Sequence, residues 1–108
     1  MIRKEGSLSY KKIMLSSPMA GKSDEEIADE RKDMMKLLEK SYPDHEYIIM
    51  NTFIPDHESK TDLECFAESV KFLSQADILV MGKGWAAARG CRLEHDIAQA
   101  YGLPIRYL

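Results

Sequence analysis

The stretch DILVMGKGWAAARGCRLEHDIAQAY, residues 77–101, decides the fold. Behind Asp77, residues 78–81 are a continuous apolar run, the pattern of a buried strand. Gly82 and Gly84 then open a glycine-rich loop. Beyond the loop, Leu93, Ile97, Ala100 and Tyr101 recur at helical spacing, Gly102 closes the helix and Pro104 stands past its end. Strand, glycine loop and helix in this order make one βα unit.

Working outward, the same unit recurs upstream. Residues 12–16 (KIMLS) read as a first strand that ends in small residues. SDEE at 23–26 has the spacing of a capping box, and Ile27, Met34, Met35 and Leu38 follow at helical spacing with Pro43 beyond. YIIM at 47–50 is a second strand whose unbroken apolarity predicts burial on both faces. After a polar loop at 51–60, TDLE at 61–64 is a second capping box. It leads into Leu63, Phe66, Ala67, Val70 and Leu73. Residues 105–108 make a short final strand. The alternation β-α-β-α-β-α-β predicts an α/β fold: a parallel sheet, right-handed crossovers and helices on both faces. Loops 16–23, 51–60 and 82–92 then converge at the carboxyl edge of the sheet, where ligands bind in open α/β folds.

Size and charge narrow the function. The 108 residues suit one small domain, residues 11–108, behind a polar, aperiodic arm at residues 1–10. Hydrophobic content of 44% and charged content of 31% are those of an ordinary globular chain. A net charge of −3 gives no general attraction for a nucleic acid polymer. No apolar run approaches the roughly 18 residues of a membrane span, and the N-terminus has no secretory apolar region. Cys65 and Cys91 form no disulfide framework and read as reduced thiols in a cytoplasm.

Three loop motifs carry candidate chemistry. In SSPMAGKS, residues 16–23, small residues let backbone N–H groups approach an anion at a helix start. Ser16, Ser17, Met19, Gly21 and Lys22 are the candidates there. Its end, GKS, resembles the end of a P-loop, but Ser16 stands where the first glycine belongs and no strand ends in an aspartate for magnesium. GKGWAA at 82–87 matches a dinucleotide pattern, yet no acidic residue follows about 20 positions on. That loop reads better as cover over a ligand, with Trp85 as a lid or stacking surface; packing in a core or interface is the competing role. Cys91 and His95, at i and i+4, could join His57 on zinc, but no second close ligand pair supports them, so neither metal nor cofactor is expected. Glu94 falls in or near the first turn of the third helix, where a carboxylate is favoured as the anion. Such a group can attack an anomeric carbon; a solvated first-turn glutamate is the plain alternative.

SSPMAG at 16–21, QADILV at 75–80, and GW at 84–85 with RGCRLE at 89–94 together resemble the nucleoside 2-deoxyribosyltransferase-like superfamily. The likeness is to its small bacterial and phage branch of undefined function. It implies a flavodoxin-like three-layer sandwich with four or five parallel strands. It also implies cleavage or transfer at the N-glycosidic bond of a deoxynucleoside or its 5′-monophosphate, with Glu94 as the nucleophile that forms a glycosyl ester. Residues 16–22 would cradle sugar or phosphate, and Gly84, Trp85, Arg89 and Gly90 would complete the substrate site. Such active sites often borrow residues from a neighbouring subunit. Two positions depart from the pattern: Ser69 replaces an aspartate of many relatives, and Ala88 replaces a serine or aspartate. Polar groups that would protonate or grip the base are therefore thinned, and a non-catalytic nucleotide-binding protein of the same fold is the alternative. A homodimer or larger homo-oligomer is expected, because a small core gains from a partner and Phe66 and Phe72 face different ways on the second helix.

Overall fold

A computed structural model describes residues 10–108. Residues 1–9, and with them nearly all of the expected arm, lie outside the described residues; Tyr10 belongs to the first strand. The elements are β1 (Tyr10–Ser16), α1 (Asp24–Ser41), β2 (Glu46–Ile49), α2 (Asp62–Leu73), β3 (Ile78–Met81), α3 (Arg89–Ala100) and β4 (Ile105–Tyr107). Single 3₁₀ turns, His57–Ser59 and Trp85–Ala87, precede α2 and α3. Among the described residues the sheet has four strands in the order β2-β1-β3-β4, every neighbouring pair parallel. This is the α/β architecture that the alternation predicts. No described helix is long and apolar enough to cross a membrane.

Both capping boxes form. The Ser23 hydroxyl accepts from the Glu26 N–H while the Glu26 carboxylate accepts from the Ser23 N–H, and Thr61 and Glu64 repeat the exchange. Each pair satisfies two amides that a helix start leaves open. α1 lays Met34 and Leu38 on Ile13, Leu15, Ile78 and Val80. α2 and α3 cover the other face, where Leu73, Cys91 and Ala98 meet Met14, Leu79 and Met81. Leu38 is fully buried, so Leu38→Ala would cost about 2–5 kcal/mol.

Three expectations fail, each for a reason of placement. Among the described residues β2 is an edge strand, not an interior one, and Ile48 and Ile49 keep 48% and 43% of their surface exposed. On α2, Leu63 and Ala67 face outward. Phe72 packs against the core, and Phe66 is half-buried. On α3, Leu93 is 41% exposed and Ala100 and Tyr101 also face out. The buried stripe there is Cys91, Glu94, His95 and Ala98. Apolar side chains point to solvent and two ionisable ones point in.

Candidate functional site

The strand order sends the chain away from β1 and β3 in opposite directions, so the crevice between their carboxyl ends is the topological switch point of the sheet. Ser16 ends β1 there, and its carbonyl accepts the Gly82 N–H at 2.7 Å. A Cβ on Gly82 would lie 2.9 Å from Ser17 Cβ and 3.0 Å from Met34 Cε, so only glycine lets the two loops close this tightly. Gly84 adopts φ +83° in the turn beside Pro18. Loops 16–23 and 82–92 therefore do converge.

Glu94 lies beneath them. It is 8% exposed, and the Ser16 hydroxyl donates to its Oε1 at 2.6 Å. α3 begins at Arg89, which puts Glu94 one turn past the first and out of reach of the strongest part of the helix dipole. Burial pushes its carboxyl above the ordinary value of 4.5, while the Ser16 hydrogen bond, the Arg31 charge and the Ser69 hydroxyl pull it back. This corrects the expectation of an anion favoured by a first-turn position: burial outweighs every stabilising neighbour. Burial also raises the Cys91 thiol, helped by the adjacent Glu94 and opposed by Ser16, so Cys91 stays protonated.

Sequence reasoning missed Arg31 and Thr52. Arg31 is half-buried on α1, its Nη1 donates to Thr52 Oγ1 at 3.4 Å, and its Nε is buried without a partner. Desolvation lowers its pKa and the Glu94 charge opposes that. The signal was present: Arg31 falls four residues after Ile27 and three before Met34, on the inward stripe of α1, where a charge is out of place. Ser69, noted only as a departure from a pattern, turns out to be a neighbour of Glu94. Ser17 reaches the same region, with its hydroxyl oxygen buried and unpartnered.

Other candidates sit elsewhere. Lys22 is held by Glu30 at 3.0 and 2.9 Å, and its N–H bonds the Met19 carbonyl. The Ser23 and Glu26 amides are used by the capping box, and the first turn of α1 carries Asp24, Glu25 and Glu26. Lys22 and two amides beside the expected phosphate cradle are thus engaged by the protein's own groups, and three carboxylates stand in the helix turn beyond it. Met19 and Gly21 are exposed on the outside of that turn. Arg89 is exposed and pairs with Asp62 at 3.1 Å, and Gly90 is exposed at the start of α3. Trp85 lines neither of the two cavities described below. It stacks on His95 with ring centroids 4.3 Å apart, and the His95 nitrogens engage Tyr107 Oη at 2.6 Å and Asp96 Oδ1 at 3.2 Å. With both His95 nitrogens engaged and His57 exposed on its own turn, the zinc trio does not assemble. Among the described residues no three His, Cys, Asp or Glu side chains are placed to hold a metal.

Two cavities lie away from Glu94. One of about 600 Å³ runs along α1 beside Ile49 and touches Arg31. The other, about 510 Å³, lies between the last turns of α2 and α3. Glu94, 8% exposed, lines neither of these two cavities.

No curated protein and no solved structure matches the chain significantly. The sequence model of one family matches residues 11–107, almost its whole length, and the chain belongs to that family, described as a domain of unknown function (DUF4406).

Proposed function

We propose that the protein acts at the N-glycosidic bond of a deoxynucleoside or its 5′-monophosphate, with Glu94 as the nucleophile. One observation carries the reading: a carboxylate buried at the switch point, fixed at 2.6 Å by Ser16 and balanced by the Arg31 charge. A group so held has one orientation, and the guanidinium maintains a fraction of it ionised despite burial. The resemblance of the blocks at 16–21, 75–80 and 84–94 to the deoxyribosyltransferase-like superfamily supports the same chemistry.

In this reading the free oxygen of Glu94 attacks C1′ of the sugar. The C1′–N bond breaks, its electron pair leaves with the base, and a glycosyl ester forms on Glu94. Water then attacks C1′, returns the carboxylate and releases the sugar; a second base in place of water gives transfer. The base takes its proton from solvent, since Ser69 and Ala88 offer no acid and burial makes the Cys91 thiol a weak one. Substrate entry requires the loop pair at Ser17–Gly82 and Pro18–Gly84 to open.

A second reading has its own observation. At 8% exposure and with a raised pKa, Glu94 is drawn toward the neutral acid, which is no nucleophile. A nucleotide-binding protein that uses a protonated Glu94 as a hydrogen-bond donor fits that feature. Incubating the protein with a panel of deoxynucleosides and their 5′-monophosphates, and chromatographing for free base, separates the two. Base release that disappears in Glu94→Gln supports the first. Saturable binding without release supports the second, and neither binding nor release removes both.

A further inference from the structure

We infer that Tyr107 is a second reactive group of this protein: a phenol that takes an acyl group from an activated ester, with His95 as the base that receives its proton. The inference is independent of the chemistry proposed for Glu94, which is bonded to Ser16 and uses neither residue.

The fold brings the parts together from three elements. Tyr107 ends β4 in register with Met81, and it lies two residues on from Ile105, which packs with Met81 on the α3 face of the sheet. His95 belongs to the buried stripe of α3 and is 9% exposed. Its Nε2 lies 2.6 Å from Tyr107 Oη and its Nδ1 lies 3.2 Å from Asp96 Oδ1. A carboxylate accepts and does not donate, so Nδ1 carries the imidazole proton and Nε2 keeps the lone pair. The Tyr107 hydroxyl therefore donates to Nε2. Trp85 stacks on the imidazole and stands 5.9 Å from the phenol ring, which fixes the imidazole plane. Tyr107 stays 49% exposed, so a reagent in solvent can approach a phenol whose base is buried.

A hydroxyl within hydrogen-bond reach of a base, with that base oriented by a third group, is the arrangement of an activated nucleophile, and tyrosine is one of the side chains that form covalent intermediates. In the step assigned here Oη attacks the acyl carbon and its proton passes to His95 Nε2. The ester C–O bond breaks, its electron pair leaves with the alcohol oxygen, and O-acyl Tyr107 remains. Charge favours a neutral acyl donor over an anionic phosphoryl one. Asp96 puts a carboxylate in the cluster, while the arginines of the same two elements are turned elsewhere. Arg92 bonds the Ala86 carbonyl at 3.3 Å, and Arg106 lies 5.0 Å over the Tyr42 ring. A hydrogen bond that served only to tie β4 to α3 would confer no such reactivity.

Acetylation of the full-length protein by p-nitrophenyl acetate at mildly alkaline pH tests this, quenched in acid at early times and read residue by residue by peptide mass spectrometry. Tyr101 is the internal control, because at 87% exposure it should react faster if access alone decides. Tyr107 is expected instead to be acetylated about a hundredfold faster than Tyr101, the acceleration that a positioned base supplies. His95→Gln should remove nearly all of that advantage. Asp96→Asn, at a side chain 63% exposed, should lower the Tyr107 rate about tenfold, because an amide no longer fixes the imidazole tautomer. The Tyr101 rate should stay the same in both variants, and circular dichroism should match the wild type. Tyr101 reacting as fast as Tyr107 in the wild type overturns the inference. A Tyr107 rate unchanged in folded His95→Gln overturns it equally. Should His95→Gln fail to fold, the wild-type ratio and Asp96→Asn decide, and a Tyr107 rate unchanged in Asp96→Asn then overturns it.

Discussion

Two of the helices that begin at the carboxyl edge of this sheet, α1 and α3, begin differently. α1 is closed: Ser23 and Glu26 cap it reciprocally, and three carboxylates crowd its first turn. α3 is open: Ala88 stands at its cap with no side-chain hydrogen bond, no acid lies in its first turn, and the carboxylate comes one turn later, buried. The first arrangement ends a helix stably and repels an anion. The second has no side-chain cap and holds an ionisable group away from water, at a cost in stability. Stability features and site features occupy neighbouring helix starts, and the local motif that looked most like a ligand loop belongs to the stable one.

The contrast breaks most directly at Glu94. If the protein cleaves nucleosides, Glu94→Gln should lower turnover by at least about a thousandfold with little loss of fold, as expected when an interaction confined to the transition state is removed. Unchanged base release would end the nucleophile reading. The same variant also reads the folded carboxyl through stability. Burial raises the Glu94 pKa above 4.5, so its contribution is fully present below that value and is lost as pH rises through the folded pKa. From about pH 4 to about pH 8, the wild type should therefore lose stability relative to Glu94→Gln in denaturant melts. A constant difference across that range would mean that Glu94 is not buried in solution.

The loop junction should give the next largest effect. Gly82→Ala sets a Cβ against Ser17 and Met34 and is expected to cost about 1–3 kcal/mol by urea unfolding. Gly90→Ala, with nothing within 4 Å, should instead stabilise α3 by up to about 1 kcal/mol. Equal effects at the two glycines would show that the loops do not meet as described. At the closed helix start, Ser23→Ala should lower stability by about 1 kcal/mol and leave any turnover unchanged. The smallest effect belongs to Lys22. Because Glu30 already holds it, Lys22→Ala should change the affinity for a 5′-monophosphate by less than about threefold in calorimetric titration. A loss of tenfold or more would return loop 16–23 to the anion site.

What the sequence by itself determined was everything written in local periodicity and capping. The capping boxes at 23–26 and 61–64 and the alternation of elements follow from neighbours within a few residues, and all form. Strand order was not local, so YIIM looked like an interior strand and proved to be an edge. Helix orientation was not local either. In α3 the apolar residues Leu93 and Tyr101 suggested one inward face, and the sheet took the face with Glu94 and His95. Only tertiary structure could make that choice, because burying a carboxylate is tolerable only where Ser16, Ser69 and Arg31 arrive from three other elements to meet it. Those partners lie 78, 25 and 63 positions away in the chain. The sheet topology, rather than any motif, brings them together.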